Sequence, residues 1–318
     1  MADTSLRIAF GPVPSRRLGR SLGINNIPAK ICTYSCIYCQ VGPTTEKCIE
    51  PRHFASPRQI RDAIEAHLAR LQGPDRAVDY LTFVPDGEPT LDLALGDSIA
   101  ALRGLGIPIA VITNGTLLWR EDVRARLGQA DLVSVKVDGA DEATWRRINR
   151  PHRNLELDMV LRGIRDFAAG YAGTLIAETM LLAGLNDSSG ALIAVADFLA
   201  EIGPRTAYLA VPTRPTLVEG IRGTDAAGLI HAHELFADRL PDVELITGHE
   251  TGEFAHTGDA RQDLLAITTV HPMREAAVRR LLADDNAEWA LVGELLAAGL
   301  VKVVEYAGER FYLRTLPG

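Results

Sequence analysis

Short apolar segments alternate with amphipathic segments through most of this 318-residue chain. The apolar segments are mostly continuous, which predicts parallel strands that are buried on both faces. The predicted strands are 22–24, 80–84, 107–113, 132–137, 174–182 and 207–211. The predicted helices are 57–71, 92–103, 119–127, 141–148, 157–169, 188–202 and 224–239. This order predicts an α/β fold built as a partial (β/α)6 barrel.

Polar residues collect where these predicted strands end. They are Asp86, Glu88, Thr90, Asn114, Asp138, Thr213 and Arg214. In barrels of this kind, the loops at the carboxyl ends of the strands carry the chemistry. We therefore expect these residues to share one rim, together with the loop that follows the first predicted strand.

Three of the four cysteines lie in that loop, as Cys32, Cys36 and Cys39 with the spacing C-x3-C-x2-C. Thiolates this close together favour zinc, copper(I) or an iron–sulfur centre. Three thiolates can hold three irons of a cubane cluster and leave the fourth iron open to a small molecule. A structural zinc site requires a fourth ligand, for which Cys48 is the candidate. Cys48 is otherwise interpreted as a thiol that behaves as a small apolar side chain.

Composition is typical of a globular protein with a sizeable core, because 47% of the residues are hydrophobic and 23% are charged. No apolar run reaches the ~18 residues that span a membrane, and the first residues do not resemble a secretory signal. We therefore expect a cytoplasmic location and no membrane association. A reducing cytoplasm also disfavours a disulfide between the clustered cysteines.

The last part of the chain departs from the repeat. The predicted elements are two helices, 272–283 and 288–298, and a hairpin of strands 300–306 and 309–314. This order is typical of a winged-helix-like module, so we expect a barrel domain at 1–240 and the module at 241–318. The module contains seven Lys and Arg residues against thirteen Asp and Glu residues. Its negative charge favours a protein-contact surface or a structural cap over DNA binding.

Two polar clusters have open interpretations. The first consists of Arg16, Arg17 and Arg20. It is either a solvated loop or a clamp for a carboxylate or phosphate near the cysteines. The second consists of His249, His256 and His271. With Glu250 and Glu253 these histidines are candidates for a second metal site, but their spacing matches no metal motif and polar loop contacts are favoured.

Three motifs together resemble those of the radical S-adenosylmethionine (SAM) enzymes. They are the cysteine motif with Tyr38 before its last cysteine, Gly87-Glu88-Pro89-Thr90, and Thr113-Asn114-Gly115. Within that superfamily, segments 18–25, 30–32, 149–151 and 212–215 resemble the branch related to wyosine-type tRNA-modifying enzymes. Many bacterial members of that branch have no assigned substrate.

The resemblance implies two cofactors, a [4Fe–4S] cluster and SAM. Cys32, Cys36 and Cys39 would ligate the cluster, and the amino and carboxylate groups of SAM would chelate its open iron. An external electron donor of the flavodoxin or ferredoxin type would reduce the cluster. The reduced cluster cleaves SAM to methionine and a 5′-deoxyadenosyl radical, which abstracts hydrogen from the substrate.

The resemblance also implies which residues contact SAM. They are Asp86, Gly87, Glu88, Pro89, Thr90, Asn114, Ser134, Lys136, Glu178 and Pro212. Lys136 is also a candidate for a catalytic Schiff base, the alternative being a lysine that is paired with a carboxylate. Arg214 is the candidate for contact with an anionic group of the substrate, because an arginine at that rim faces the open pocket.

These observations favour a radical SAM enzyme, and they do not specify its substrate. The branch resemblance ranks tRNA or another nucleic acid ahead of a peptide or a metabolite. Two alternatives remain, an activase that places a radical on a partner protein and a non-catalytic zinc-binding module. Wyosine-type enzymes carry a second cluster on additional N-terminal cysteines, and this chain has no cysteine before Cys32. The resemblance therefore does not imply their pyruvate condensation.

Overall fold

The computed structural model of the protein describes residues 8–71, 77–246, 254, 257–270, 272–306 and 308–315. The strands are β1 (Ala9–Ser15), β2 (Gly19–Ile24), β3 (Ile31–Cys32), β4 (Glu46–Lys47), β5 (Tyr80–Phe83), β6 (Ile109–Thr113), β7 (Leu132–Lys136), β8 (Thr174–Met180), β9 (Ala207–Ala210), β10 (Val243–Ile246), β11 (Met273–Arg274), β12 (Val301–Tyr306) and β13 (Glu309–Arg314). The helices are α1 (Pro57–Arg70), α2 (Leu95–Leu102), α3 (Glu121–Leu127), α4 (Glu142–Asn149), α5 (Leu157–Gly170), α6 (Ser189–Ile202), α7 (Ala226–Ala237), α8 (Ala260–Val270), α9 (Glu275–Asp284) and α10 (Ala290–Ala297). None of the helices in these ranges combines the length and the apolar character that crossing a bilayer requires. The three histidines His249, His256 and His271 lie outside the described residues.

One eight-stranded sheet forms the barrel, in the order β1-β2-β5-β6-β7-β8-β9-β10. All neighbours from β2 to β10 are parallel, and β1 is antiparallel to β2. The six predicted strands are confirmed as β2 and β5 to β9, and the sheet is a curled half-barrel. Each edge carries one further strand that the sequence does not predict.

The two edge strands escape prediction for different reasons. β1 contains Gly11, Pro12 and Pro14, which indicate a loop but are also tolerated in an edge strand. β10 is interrupted by the exposed Glu244 and is not buried as the inner strands are, and it lies beyond the expected domain boundary at residue 240. Because β10 pairs with β9, the sheet reaches Ile246. We propose that the division between the two domains follows this strand.

The strands divide their side chains between two cores. Val111 and Val133 belong to the main core with the helices, whereas their neighbours Ala110 and Leu132 belong to a cluster inside the barrel. Successive strand residues point to opposite faces of a sheet, which explains the division. Leu18, from the turn between β1 and β2, packs into the inner cluster. This turn therefore closes the barrel at the amino ends of its strands and leaves the carboxyl ends open.

Helix α1 begins where its local signals predict. Ser56 Oγ accepts the N–H of Gln59 at 3.2 Å, and Gln59 Oε1 accepts the N–H of Ser56 at 2.9 Å. This capping box, with Pro57 at the first helical position, fixes the start of the helix. Ile60 and Ile64 then pack into the main core.

The C-terminal module has a small core of its own. Its elements are α8, β11, α9, α10, β12 and β13, and its sheet has the order β11-β13-β12. The predicted hairpin is confirmed, and the first predicted helix begins later, at Glu275, because Met273 and Arg274 pair with β13. Val13 of β1 packs against the second core. The edge of the barrel sheet therefore contributes to the core of the module.

Candidate functional site

The three clustered cysteines line one cavity of about 340 Å³. The cavity lies at the carboxyl ends of the barrel strands, between the cysteine loop and the residues that follow β5, β6, β7 and β9. Cys32 ends β3, which pairs with β4, and the N–H of Cys39 donates to the carbonyl oxygen of Cys36 at 3.0 Å. All three are free cysteines. The predicted convergence of the cysteines and the strand ends is therefore confirmed.

Residues 148–152, at and after the end of α4, hold the backbone of the cysteine loop. The N–H of Ser35 donates to the carbonyl oxygen of Asn149 at 3.0 Å, and that of Ile37 donates to Ile148 at 2.9 Å. The N–H of His152 donates back to Thr33 at 2.9 Å. These bonds use backbone groups that a loop otherwise leaves to solvent, and they fix the positions from which the thiols project.

Amide groups reach the sulfur atoms of two cysteines. Asn149 Nδ2 lies 3.5 Å from Cys36 Sγ, and Asn114 Nδ2 lies 3.7 Å from Cys32 Sγ. The N–H of Tyr34 also donates to Cys32 Sγ, at 3.5 Å. Hydrogen bonds to cysteine sulfur stabilise negative charge and tune the potential of an iron–sulfur cluster. The environment of these thiols suits a cluster ligand of that kind.

Burial controls the protonation of the thiols in the protein without metal. Burial first, and the nearby Asp138 carboxylate second, raise the pKa of Cys36 to about 12. Burial likewise raises the pKa of Cys32 and of Cys39. Metal binding therefore has to displace protons from these thiols. Within the described ranges, no three His, Cys, Asp or Glu side chains are grouped as they would be around a single metal ion.

Glu88 joins two loops of the rim. Its Oε1 accepts from Thr90 N–H at 3.0 Å, from Thr90 Oγ1 at 2.6 Å and from Thr113 Oγ1 at 2.6 Å, and its Oε2 accepts from Asn114 N–H at 2.8 Å. A Cβ atom on Gly87 would collide with the carbonyl oxygen of Ile31, so glycine allows this loop to pass against β3. Glu88 therefore fixes the rim with a carboxylate whose two oxygens both accept hydrogen bonds from the protein.

Asp86 and Lys30 form a buried pair of opposite charge that lines the cavity. Neither oxygen of the Asp86 carboxylate and no hydrogen of Lys30 Nζ has a hydrogen-bond partner among the described residues. Burial raises the pKa of Asp86 to about 7, and the charge of Lys30 opposes that shift. Burial lowers the pKa of Lys30, and the charge of Asp86 opposes it.

Buried polar groups normally find hydrogen-bond partners, since leaving them without one is costly. An unpartnered ammonium beside an unpartnered carboxylate matches a zwitterion, which presents one group of each sign. The aminocarboxylate end of SAM has this chemistry, and the residues present therefore fit it. Sequence reasoning missed Lys30, because a lysine near a loop is ordinarily solvated and only the packing shows its burial.

A second charged cluster lies deeper in the cavity. Lys136 Nζ donates to Glu178 Oε1 at 2.7 Å, and the Arg17 guanidinium pairs with Glu178 Oε2. Lys136 Nζ also lies 4.9 Å from the centre of the Tyr38 ring. Lys136 is thus paired with a carboxylate, the alternative to a Schiff base, and both oxygens of Glu178 are engaged by the protein. Arg17 is the member of the basic cluster that clamps a carboxylate, and that carboxylate is Glu178.

Asp138 connects the end of β7 to the cysteine loop. The Tyr38 hydroxyl donates to Asp138 Oδ2, and Asn149 Nδ2 lies 2.7 Å from the same oxygen. The N–H of Met180 donates to Asp138 Oδ1 at 2.9 Å. The carboxylate therefore orients both the aromatic residue of the cysteine motif and the amide that contacts Cys36.

The remaining predicted residues divide between the lining and its surroundings. Asp86, Gly87, Glu88, Asn114, Lys136, Glu178, Pro212 and Arg214 line the cavity. Ser134, Pro89 and Thr90 are buried and are not part of the lining. Arg214 donates to Gln40 Oε1 at 2.9 Å. The thiol of Cys48 is also outside the lining, and it packs, partly buried, against the main core.

The C-terminal module reaches the same rim. The Tyr306 hydroxyl in β12 donates to the carbonyl oxygen of Pro212 at 3.3 Å. Burial lowers the pKa of Lys30, and the charge of Lys302, also in β12, adds to that lowering. The hairpin of the module therefore borders the cavity.

Comparison with known proteins shows the family to which this chain is related. A family model described as the radical SAM superfamily matches residues 26–196. The chain is 44% identical over 313 residues to the UPF0026 protein MJ1312 of Methanocaldococcus jannaschii, which covers 98% of this chain and 97% of that protein. It is 34% identical over 220 residues to a UPF0026 protein of Helicobacter pylori, covering 68% of this chain and 70% of that protein.

Two solved structures share the fold. TYW1 with a lysine–pyruvate adduct bound has a TM-score of 0.56 at 16% identity, over 70% of this chain and 74% of that one. A radical SAM methyltransferase from Sphaerobacter thermophilus has a TM-score of 0.57 at 15% identity, over 72% of this chain and 66% of that one. At these identities the likeness concerns the fold alone. The superfamily match and the barrel that carries its cysteines identify the chain as a member of the radical SAM superfamily of enzymes.

Proposed function

We propose that the protein cleaves SAM reductively at this cavity and uses the resulting radical to modify a substrate. The observation that carries the proposal is the shared cavity, in which three cysteines lie beside the unpartnered Lys30–Asp86 pair. When bound, a [4Fe–4S] cluster supplies the electron that cleaves SAM to methionine and a 5′-deoxyadenosyl radical, which abstracts hydrogen from the substrate.

The residues of the chain have separate tasks in this proposal. Cys32, Cys36 and Cys39 hold the cluster. The carboxylate of Asp86 accepts from the amino group of SAM, and Lys30 donates to its carboxylate group. Asn114 keeps its amide toward the sulfur of Cys32, so the rim stays in position while SAM binds and leaves.

The deeper cluster and the rim are assigned to the substrate. Lys136 and Arg17 share the carboxylate of Glu178, and the nearby Asp138 carboxylate acts on Lys136 as a second negative charge, so this end of the cavity is polar without a strong net charge. Arg214 is half-buried at the mouth and is the contact for an anionic group of the substrate. We rank a nucleic acid such as tRNA first, because a phosphate matches that arginine and the branch resemblance points the same way. An external electron donor is a further requirement of this chemistry.

The first test is metal analysis of protein that is purified and reconstituted without oxygen. We expect iron and sulfide in the wild type and in Cys48→Ala, and their loss in Cys36→Ala. Incubation of the wild type with SAM and dithionite should then form 5′-deoxyadenosine. Stoichiometric zinc that is lost in Cys48→Ala, with no 5′-deoxyadenosine, would show the non-catalytic zinc-binding module instead.

A further inference from the structure

Four exposed cations lie on the two segments whose backbones hydrogen-bond to the cysteine loop, and we call them the outer basic patch. They are Lys47, Arg147, Arg150 and Arg153. Neighbouring cations are neutralised, since Arg146 pairs with Glu142 and Arg52 with Glu46. In the described part of the chain, no carboxylate lies within ion-pair distance of the four patch residues. Lys47 Nζ donates instead to a carbonyl oxygen, that of Arg150, at 2.9 Å.

The patch is joined to a cysteine by a short path. Asn149 lies between the patch residues Arg147 and Arg150 in the sequence, and its Nδ2 is 3.5 Å from Cys36 Sγ. None of the four cations lines the cavity. Burial lowers the pKa of the His152 imidazole, and the charges of Arg153 and Lys47 lower it further, so both cations lie near this side chain. The patch thus lies on segments next to the cysteine loop and outside the lining of the cavity.

The backbone holds this arrangement against a local preference. Arg150 ends α4 in the left-handed region, with φ 46° and ψ 62°. A residue other than glycine is strained in this conformation. Such strain persists where surrounding contacts over-determine the conformation and is frequent at functional sites. The contacts here are the bond from Lys47 and the hydrogen bonds of residues 148–152 to the cysteine loop.

We propose that the outer basic patch is the docking surface for a small acidic protein that carries single electrons. The inference rests on the proposed function, which consumes one electron from outside for each SAM cleaved. The reduced carrier loses one electron and the cluster gains it, with no bond made or broken in the protein. SAM and substrate occupy the cavity side, so the carrier approaches from the outer side of the loop.

The size and charge of the patch suit this partner. Redox complexes are weak and bury less than about 1,200 Å², so a few central charges are sufficient. Opposite charges speed the encounter, and the Debye length of about 8 Å lets the local patch act despite the net charge of −8 on the whole chain. A nucleic-acid substrate has to place its reacting group in the cavity, which these four residues do not line.

The test measures reduction of the cluster by a flavodoxin that has been reduced beforehand, using reconstituted full-length protein. Arg147→Gln/Arg153→Gln removes two patch charges and leaves the Lys47–Arg150 bond in place. Arg70→Gln/Arg205→Gln removes two exposed arginines at the other end of the barrel and is the matched control. At low salt we expect the second-order rate to fall about tenfold in the patch variant and to stay unchanged in the control. At high salt the gap should nearly close.

Two further measurements separate the possible failures. Dithionite needs no docking, so both variants should form 5′-deoxyadenosine with it as the wild type does. If even the wild type forms none, the proposed function fails rather than the docking surface. If it does, and the patch variant is reduced by flavodoxin at the wild-type rate, the docking proposal is overturned. Loss of tRNA affinity in the patch variant with an unchanged flavodoxin rate also overturns it and assigns the patch to RNA.

Discussion

Lys30 and Asp86 offer a direct test of how single residues bind SAM. In Lys30→Met the stem is kept and the charge is removed, so the SAM carboxylate loses a charge-assisted hydrogen bond. We expect the Kd for SAM to rise about tenfold or more, since such bonds contribute about 1.5–3 kcal/mol. Equilibrium dialysis with the reconstituted protein measures this change, and iron content shows that the cluster is retained.

Lys302→Met is the control for that variant. Lys302 is exposed on β12 and its charge acts on Lys30. The substitution therefore removes a positive charge from the same region without removing a contact to the cavity. We expect its Kd to stay near the wild-type value. Equal weakening by both variants would mean that only the general field matters, and that Lys30 makes no direct contact.

Asp86 predicts how the stability of the metal-free protein changes with pH. Its pKa is raised by burial to about 7 from 3.8, so between these values the folded state holds a proton that the unfolded state has released. Its contribution to stability is therefore largest at low pH and is lost as pH rises toward 7. In Asp86→Asn, the decrease in unfolding free energy between pH 5 and pH 7.5 should be smaller, by roughly 1–3 kcal/mol.

Urea unfolding at the two pH values measures this difference. Asp97 is an exposed acidic residue of α2, and Asp97→Asn is the matched control that should reproduce the wild-type pH dependence. The assignment fails if Asp86→Asn loses as much stability between pH 5 and pH 7.5 as the wild type does.

For single residues, sequence motifs predict a residue of the site correctly when its position along the backbone is enough to bring it there. Asp86 and Asn114 follow strand ends and do line the cavity, as the sequence predicts. Ser134 lies inside the strand β7 and is fully buried outside the lining. The sequence offers Arg17 only as one of three arginines for an anion clamp and does not single out Lys30, because the burial of both depends on tertiary packing of a turn and a loop. No periodic pattern marks such positions.

Among the structural elements, the segment after α4 has the clearest influence on the cysteines. Asn149→Ala removes the amide that lies 3.5 Å from Cys36 Sγ, and hydrogen bonds to sulfur stabilise the reduced, more negative cluster. We expect the midpoint potential to fall by about 40 mV, the equivalent of a bond of about 1 kcal/mol in a one-electron couple. A redox titration followed by electron paramagnetic resonance measures it.

Asn154→Ala is the control within the same segment. Asn154 is exposed, and its side chain is outside the cavity lining, so its removal should leave the potential unchanged. An unchanged potential in Asn149→Ala, with full iron content, would mean that this amide does not tune the cluster.

The sequence predicts a strand or a helix when its own residues favour that structure, and fails when tertiary packing overrides their preference. The six inner strands of the barrel are mostly continuous apolar runs and are predicted. α8 contains the β-branched run Ile267-Thr268-Thr269-Val270, whose helix propensity is low. Leu264, Leu265 and Ile267 are nevertheless buried in the second core, and it is this packing that stabilises the helix. A sequence pattern does not reveal a helix whose stability comes from another part of the chain.

For the whole molecule, β1 links the main core of the barrel to the core of the C-terminal module. It pairs with β2 on one side, and His67 Nε2 from α1 lies 2.6 Å from the carbonyl oxygen of Gly11. Val13 of the same strand packs into the core of the C-terminal module. Because one strand contributes to both packing units, we expect barrel and module to unfold together rather than in sequence.

Val13→Ala tests this coupling. It removes two methyl groups from a half-buried contact and should lower the unfolding free energy by about 1 kcal/mol. Hydrogen exchange of peptides from β6 and from α9, followed by mass spectrometry across a urea series, reports on both domains. We expect the two transitions to shift together, because the loss at β1 weakens both. Val303→Ala makes the same chemical change on an exposed face of β12 and should shift neither. An earlier transition in α9, with β6 unchanged, would show that the module folds independently of the barrel.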